Sequence, residues 1–173
     1  METNTQTTDI STDATGQVSQ MQKTKTTKTT EENQMPDNWM QISFSAQSEN
    51  EGFARTAVAA FASYLNPTID ELADIKTAVS EAVTNCIIHG YNLRGGTIWL
   101  EAVIYERTLQ VSITDKGRGI ADIQKAREPL FTTRPDLERS GMGFSFMEAF
   151  MDTVEVESAR GKGTRVTMSR VIR

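Results

Sequence analysis

Two stretches of alternating apolar residues, joined by a short turn, constrain the fold of this chain more than any other feature. Apolar side chains occupy every second position from Ile98 to Ile104 and again from Leu109 to Ile113, and residues 106–108 turn the chain between them. A period of two is typical of strands with one buried face, and so short a connection permits only an antiparallel pair. The pattern therefore predicts a β-hairpin and excludes a wholly parallel sheet.

The flanking periodicities extend this hairpin to the order β-α-α-β-β-lid-α-β-β. Residues 121–140 are polar and contain two prolines, so we expect a functional lid there, with at most a short helix around residues 122–127. The order predicts a two-layer α/β sandwich, with a mainly antiparallel mixed sheet and helices on one face. The other predicted elements are a strand at 39–47, helices at 49–65 and 68–89, a helix opened by residues 141–143, and strands at about 153–158 and 164–171.

Apolar residues at helical spacing define the two predicted helices of the first half. Phe53 belongs to the apolar stripe of the first helix. In the second, Thr68 is a plausible N-cap and Gly90 a natural stop, while Cys86 is interpreted as part of the buried stripe. We expect the second helix to remain regular as far as His89.

The beginning of the chain differs in composition from the rest. Residues 1–34 contain 11 Thr and 5 Gln but no aromatic residue. Such a segment buries too little apolar surface to offset the entropy lost on ordering. The composition predicts a disordered Thr/Gln-rich extension over residues 1–37 and one domain over residues 38–173.

Charge and residue counts exclude several classes of function. A formal net charge of −5 argues against direct nucleic-acid binding, and no apolar run is long enough to span a membrane. One cysteine and one histidine exclude zinc sites built from these residues, and a Cys/His nucleophile pair would require Cys86 and His89. The N-terminus lacks the apolar segment of a secretory signal, so we expect a cytoplasmic protein.

Glu81 and Asn85 form the first candidate site. A spacing of four residues places both side chains on one face of the second predicted helix. A carboxylate can act as a general base, and an amide oxygen suits a hard cation such as Mg²⁺. The alternative is an ordinary exposed polar face.

Asp115, Gly117 and Gly119 form the second candidate, at the end of a predicted strand. The glycines allow close approach of a ligand to the backbone, and the Asp can accept a hydrogen bond from an exocyclic amine. The alternative is a turn with a capping Asp.

The remaining candidates lie at a helix start and at a strand start. Residues 140–144, Ser-Gly-Met-Gly-Phe, lead into the last helix, whose N–H groups can bind phosphate oxygens, and Arg139 could reach a terminal phosphate. Gly163 and Thr164 enter the last strand. Taken separately, Arg139 is also interpretable as a surface arginine, and the Gly163 segment as a hairpin turn.

Taken together and in order, these segments resemble the sequence boxes of the GHKL ATPases, in the version used by serine-kinase anti-sigma factors. The resemblance covers about residues 39–171, and residues 50–55 are also similar to the first helix of anti-sigma factors that restrain the sporulation sigma factor sigma-F. The matching segments are residues 80–91 for the N box, 115–119 for the first glycine box, 129–144 for the lid and second glycine box, and 163–164 for the last box.

The resemblance implies a Bergerat-type ATP-binding fold and assigns roles to these residues. Asp115 would bind the adenine amino group with support from Thr164, and Asn85 would hold Mg²⁺ between the phosphates. Glu81 would orient or deprotonate a serine hydroxyl, and Arg139 would contact the terminal phosphate. The other residues expected to contact ATP are Gly117, Gly119, Thr132, Thr133, Ser140, Gly141, Met142 and Gly143.

The same resemblance implies a protein serine kinase that also restrains a sigma factor. The expected partners are a sigma factor of the sigma-F type, an anti-anti-sigma factor that supplies the serine, and a second copy of the chain in a homodimer. Arg55 would lie on a partner-facing helix, although it is also interpretable as a solvated arginine. Two alternatives stay open: the same chemistry directed at a stress-response sigma factor, and a non-catalytic, ATP-gated module that binds sigma. The presence of Glu81 argues against the second.

Overall fold

The computed structural model describes residues 35–132 and 141–173. Nearly all of the predicted extension, together with Thr133, Arg139 and Ser140, lies outside these ranges. The strands are β1 (Asn38–Ser45), β2 (Thr97–Tyr105), β3 (Thr108–Asp115), β4 (Thr153–Ala159) and β5 (Gly163–Val171). The helices are α1 (Glu49–Ala62), α2 (Ile69–Asn85), α3 (Ile123–Ala126) and α4 (Gly143–Phe150), with a 3₁₀ turn (Ser63–Leu65) after α1 and a π-helical turn (Cys86–Gly90) after α2.

The described strands form one sheet in the order β1-β2-β3-β5-β4, and all four pairings are antiparallel. The expectation of a mainly antiparallel sheet is confirmed. In the central hairpin Ile98 pairs with Asp115 and Tyr105 pairs with Thr108, so only Glu106 and Arg107 form the turn. The predicted three-residue turn was therefore one residue too long, because Thr108 already belongs to the ladder.

The core lies between one face of this sheet and the helices. Along β2, residues 98, 100, 102 and 104 are fully buried, as the alternation predicts. They pack in one apolar cluster with Ile75 and Val79 of α2 and Met147 of α4. Each buried Ile or Leu side chain contributes about 1.5–3 kcal/mol relative to an exposed one. The two-layer α/β sandwich is confirmed.

Helix α1 leaves one residue of its predicted stripe, Phe53, exposed. Its buried residues include Ala54, Val58 and Ala62, whereas Phe53 remains 52% exposed. The ring of Phe53 contacts that of Phe44 edge-on, with 6.1 Å between centroids. Placing Phe53 in the core was wrong, because the small side chains one position further along let α1 pack closely on its neighbours.

Helix α2 begins as predicted and ends differently. The Thr68 hydroxyl accepts a hydrogen bond from the Glu71 N–H at 3.2 Å, and the Glu71 carboxylate accepts one from the Thr68 N–H at 2.8 Å, which together form a capping box. The regular helix ends at Asn85 instead of His89. The following turn is π-helical, with the Tyr91 N–H donating to the Cys86 carbonyl at 2.9 Å. Such widened turns are common at functional sites.

Candidate active site

A cavity of about 490 Å³ lies beside the C-terminal end of α2, which is within the usual size range of small-molecule sites. It is bounded by that end of α2, the end of β3 and the loop after it, α3, the start of α4 and the start of β5. Most of the described candidates converge here from distant parts of the chain. The predicted residues that line the cavity are Asn85, Asp115, Gly119, Thr132, Gly141, Gly143 and Thr164.

Asp115 is a buried carboxylate in the wall of this cavity, only 3% exposed. Its Oδ1 accepts a hydrogen bond from the Gly117 N–H at 2.7 Å. Burial raises the pKa of Asp115, whereas hydrogen bonding to Gly117, Cys86 and Thr164 lowers it, and burial is the larger effect. Such a group gains from a further donor supplied by a ligand.

Glycines allow the backbone to close around Asp115. A Cβ on Gly90 would lie 3.0 Å from the Asp115 carboxylate, and one on Gly117 would lie 2.2 Å from the Gly90 carbonyl oxygen. Gly163 has a φ of +85°, and a Cβ there would lie 2.0 Å from the Asp115 carbonyl oxygen. Gly117 therefore serves the contact between the β3 loop and the π turn, and it is not among the residues lining the cavity.

The start of α4 meets the last turns of α2 on another side of the cavity. A Cβ on Gly143 would lie 3.2 Å from the Glu81 Oε2 and 3.2 Å from the Asn85 amide. The first N–H groups of a helix have no partner one turn back, so they favour an anion. A carboxylate, an amide and a helix start therefore come together, although Glu81 and Met142 do not line the cavity themselves.

Ser158 supports the site through Thr164 without lining the cavity itself, and sequence analysis missed it. Its Oγ accepts a hydrogen bond from the Ile120 N–H at 2.8 Å, donates to the Gly163 carbonyl at 2.8 Å and lies 2.9 Å from the Thr164 Oγ. Because a hydroxyl has one proton, Thr164 is the donor in that last contact, and its own oxygen is left able to accept. Ser158 faces Thr164 through the register of β4 with β5, which the sequence pattern does not reveal.

Cationic residues around the cavity were also missed. Arg118, Lys125 and Arg160 contribute to the lining. The Lys125 ammonium lies 5.5 Å from the ring centroid of Phe131, which lines the cavity as well. Positive charge around a cleft attracts anionic ligands. Such exposed side chains have no sequence periodicity, and this explains why pattern reasoning overlooked them.

Arg55 lies away from this cavity, on the surface of α1. It is exposed and forms an ion pair with Glu51 at 2.8 Å. It lines a second cavity of about 420 Å³ between α1 and α2, together with Ala73, Lys76, Thr77 and Ser80.

Comparison with known proteins assigns the chain to a family. Residues 44–170 match the histidine kinase-like ATPase domain. Over 136 residues the chain is 57% identical to the anti-sigma F factor of Clostridium acetobutylicum, covering 79% of this chain and 95% of that protein. The chain belongs to the anti-sigma F factor family. The anti-sigma F factor of Clostridium beijerinckii is 59% identical over 137 residues, covering 79% of this chain and 96% of the other.

A solved structure supports the fold independently. The RsbU and RsbW domains of Rv1364c from Mycobacterium tuberculosis match with a TM-score of 0.57 at 20% identity, over 79% of this chain. The match spans about a third, 32%, of that longer chain. At this identity the likeness concerns the fold alone, and it agrees with the two-layer sandwich.

The described residues fit an ATP site with a metal ion held largely by the nucleotide. Asn85 and Glu81 offer oxygen ligands of the kind that Mg²⁺ prefers. Within residues 35–132 and 141–173, no group of three or more His, Cys, Asp and Glu could hold a metal ion. Mg²⁺ characteristically keeps several waters and uses one or two protein ligands plus substrate phosphates. The donor set fits that mode of binding.

Proposed function

We propose that the protein is a serine kinase that binds Mg-ATP in the 490 Å³ cavity and restrains a sigma factor of the sigma-F type. One observation carries the proposal: a single cavity has the buried carboxylate of Asp115 on one side and the start of α4, beside Glu81 and Asn85, on another. A carboxylate suits an exocyclic amine, and a helix start suits phosphates. An ATP molecule with its adenine at Asp115 and its phosphates at the start of α4 would match both groups.

The adenine end would recognise the base through hydrogen bonds. Asp115 would accept from the amino group, which supplies the further donor that a buried carboxylate needs. Thr164, whose hydroxyl oxygen is left able to accept, would support this contact directly or through water. Gly119 lines the cavity beside them, where its lack of a side chain leaves room for the nucleotide.

The phosphate end would neutralise charge. The backbone of Gly141 to Gly143, with Thr132, Thr133, Ser140 and Met142, would contact the phosphates, and Arg139 would reach the terminal one. Mg²⁺ bound through Asn85 would neutralise charge on the phosphate oxygens. Phosphoryl transfer depends mainly on such positioning and charge stabilisation.

Glu81 would position the incoming serine. The serine Oγ of the partner forms a bond to the terminal phosphorus, and the bond from that phosphorus to the bridging oxygen of ADP breaks. The hydroxyl proton passes to the Glu81 carboxylate. The position of Glu81, against the start of α4 and one helical turn before Asn85, suits this role.

Incubation with labelled ATP, Mg²⁺ and a purified anti-anti-sigma protein tests the kinase. We expect phosphoserine on the partner and ADP in equal amount. Tight ATP binding without phosphoserine would instead support the non-catalytic, ATP-gated module. Transfer to the partner of a stress-response sigma factor, and not to that of sigma-F, would support the other alternative.

The partner surface is proposed to include Arg55. The guanidinium lies with Lys76 along a cavity whose other lining residues are small or hydroxylic, which suits an acidic partner segment. We propose a homodimer that binds one sigma factor in the cytoplasm of a sporulating cell. No helix in the described part of the chain is long and apolar enough to cross a membrane.

A charge reversal separates this surface from the kinase site. Arg55→Glu should weaken capture of the sigma factor at least tenfold while leaving ATP affinity unchanged. Glu51→Ala is the matched control, because it removes the ion pair but keeps the guanidinium. Equal sigma binding by Arg55→Glu and the parent would exclude Arg55 from the interface.

A further inference from the structure

Three polar residues lie side by side on neighbouring strands at the edge of the cavity. Thr164 of β5 pairs with Asp115 of β3 on one side and with Ser158 of β4 on the other. Asp115 and Thr164 line the cavity, whereas Ser158, on the far side of Thr164, does not. Ser158 can therefore influence a ligand only through Thr164.

The hydroxyl of Ser158 is fully used within the protein. Its Oγ accepts a hydrogen bond from the Ile120 N–H and donates one to the Gly163 carbonyl, both at 2.8 Å. The hydroxyl oxygen of Thr164 lies 2.9 Å away. Because a hydroxyl has one proton and two acceptor positions, this third contact requires Thr164 to be the donor.

Closely packed backbone holds the partners of this hydroxyl in place. The loop after β3 lies against the turn between β4 and β5, and a Cβ on Gly119 would lie 2.0 Å from the Ala159 carbonyl oxygen. The Ile120 N–H comes from that loop and the Gly163 carbonyl from that turn. These two groups therefore keep the Ser158 hydroxyl in one orientation.

The direction of the Thr164 hydrogen bond decides what the cavity offers to a ligand. With its proton donated to Ser158, the Thr164 oxygen can only accept. The carboxylate of Asp115, on the paired strand, is an acceptor as well. Two acceptors favour a ligand edge that carries donors and disfavour a carbonyl oxygen, which would leave all of these groups unpaired.

We propose that Ser158 is a positioning residue for base selection: by accepting the Thr164 proton, it makes this part of the cavity acceptor-only. The site then takes a purine with an exocyclic amino group and rejects a 6-oxopurine. This inference rests on the proposed binding of ATP. The two protons of the adenine amino group match the two acceptors, whereas guanine and hypoxanthine have an acceptor oxygen at the same position.

Calorimetric titration with ATP and with inosine triphosphate, which has a carbonyl oxygen in place of the adenine amino group, tests the inference. The parent should prefer ATP about 100-fold. In Ser158→Ala the Thr164 hydroxyl is free to rotate and donate to the carbonyl oxygen, so this preference should narrow about fivefold to tenfold. The ratio of the two affinities is the readout, because a general loss of packing would weaken both nucleotides alike.

Two control variants separate base selection from strand packing. Thr153 and Ser169 form a similar hydroxyl pair at 2.7 Å between the same two strands, and neither residue lines the cavity. Ser169→Ala should leave the ratio of affinities unchanged. Ser158→Thr keeps the hydroxyl and should retain the preference for ATP. If Ser158→Ala has no more effect on the ratio than Ser169→Ala, the positioning role is wrong.

A double variant tests whether Ser158 acts through Thr164. Thr164→Val removes the hydroxyl with little change in shape and should itself narrow the preference for ATP. Adding Ser158→Ala to Thr164→Val should narrow it no further, because the residue through which Ser158 acts is already absent. Further narrowing in the double variant would overturn the inference.

Hydrogen exchange in the nucleotide-free protein distinguishes the possible failures. Ser158→Ala should speed exchange of the Ile120 amide, which loses its acceptor, and Ser169→Ala should not. If the parent binds neither nucleotide, the proposed function fails and the base-selecting role fails with it, even where the exchange result supports the hydrogen bond. If the parent binds ATP and Ser158→Ala leaves the ratio unchanged, the inference about Ser158 fails and the ATP site stands.

Discussion

The two ends of helix α2 each contact a buried carboxylate, and the two carboxylates behave in opposite ways. Glu71, in the first turn, is 9% exposed, and Asp115, beside the π turn, is 3% exposed. The pKa of Glu71 is lowered and that of Asp115 is raised. The difference comes from the balance between burial and favourable contacts: burial is the largest effect on the pKa of Asp115, whereas backbone hydrogen bonds outweigh burial at Glu71.

At the N-terminal end hydrogen bonds and a nearby positive charge outweigh burial. The Arg173 N–H donates to Glu71 Oε1 at 3.0 Å, and the Thr68 N–H and hydroxyl donate to Oε2 at 2.8 and 3.0 Å. The Arg170 guanidinium, which also pairs with Asp74 at 3.2 Å, adds favourable charge. These bonds tie the C-terminus of the chain to the start of α2, so this end serves stability.

At the C-terminal end burial outweighs the donors. Hydrogen bonding lowers the pKa of Asp115, yet desolvation raises it by more. A buried carboxylate whose desolvation is not fully offset costs stability that a ligand can recover. The comparison teaches that one helix separates a structural end from a ligand-binding end, and variants at the structural end should leave ATP affinity unchanged.

The largest effect is expected at Glu81. Glu81→Gln should lower the rate of phosphoryl transfer at least 100-fold, since general bases contribute roughly 10²–10⁴ in rate. ATP affinity and melting temperature should stay near the parent's. Transfer is measured as phosphoserine formed per minute, with Glu155→Gln, the same change on β4, as the control. Full activity in Glu81→Gln would remove it from the catalytic step.

The next effect is expected at Asp115. Asp115→Asn should weaken ATP binding about 10- to 100-fold, because a bond to a charged acceptor is worth about 1.5–3 kcal/mol. In the parent, ATP binding should be lost on acidification as Asp115 protonates at a pH above its usual pKa of 3.8.

The stability of the fold should depend on pH in the opposite direction from ATP binding, because of the same residue. A raised pKa means that the folded state holds its proton more tightly, so the free energy of unfolding falls as the pH rises from 3.8 through the raised value. Asp115→Asn should remove this dependence in urea melts. If Asp115→Asn binds ATP as tightly as the parent, Asp115 does not recognise adenine.

A smaller effect is expected at Gly143. A side chain there would approach Glu81 and Asn85 to 3.2 Å, so Gly143→Ala should lower ATP affinity several-fold by displacing them. Gly52→Ala is the matched control in α1, where the nearest atom lies 4.0 Å away. That control should stabilise the fold by about 0.4–1 kcal/mol and leave ATP affinity unchanged. Equal ATP affinity in both variants would show that the contact at Gly143 is unimportant.

The smallest effect is expected at the structural end. Thr68→Ala should lower the free energy of unfolding by about 1 kcal/mol through loss of the cap, with no change in ATP affinity. The stabilisation from Glu71 is fully present above its usual pKa of 4.5 and is lost as the pH falls through its lower folded pKa. Glu71→Gln should therefore reduce the acid dependence of urea melts below pH 4.5. A change in ATP affinity in either variant would show that the two ends are coupled.

Local pattern predicted most of the secondary structure and failed where packing decides. The alternation in β2 and β3 placed the correct face in the core, and Thr68 marked the start of α2. The π turn was not predictable, because its periodicity differs from an α-helix over only five residues. What distinguishes it is the contact of Gly90 with Asp115, 25 residues later.

The sequence predicted many of the residues of the site, but it did not predict how they are arranged around the cavity. Glycine boxes and polar residues marked the segments, and seven of the proposed residues line one cavity. Ser158 and the cationic residues around the cavity carry no pattern, so only the register of β4 with β5 and the folded loops revealed them.

The sequence by itself determined the antiparallel hairpin, the helix start at Thr68 and the family, because each depends on residues close together in the chain or on their order. Only the tertiary structure decided which carboxylate is satisfied. Glu71 and Asp115 are both acidic residues at the edge of an apolar pattern. Their opposite pKa shifts arise from what distant segments place around them: at Glu71 the hydrogen bond from the C-terminal residue Arg173 is the largest effect and lowers the pKa, whereas at Asp115 burial is the largest effect and raises it. Hydrogen bonding and desolvation act over a few ångströms, and only folding sets those distances.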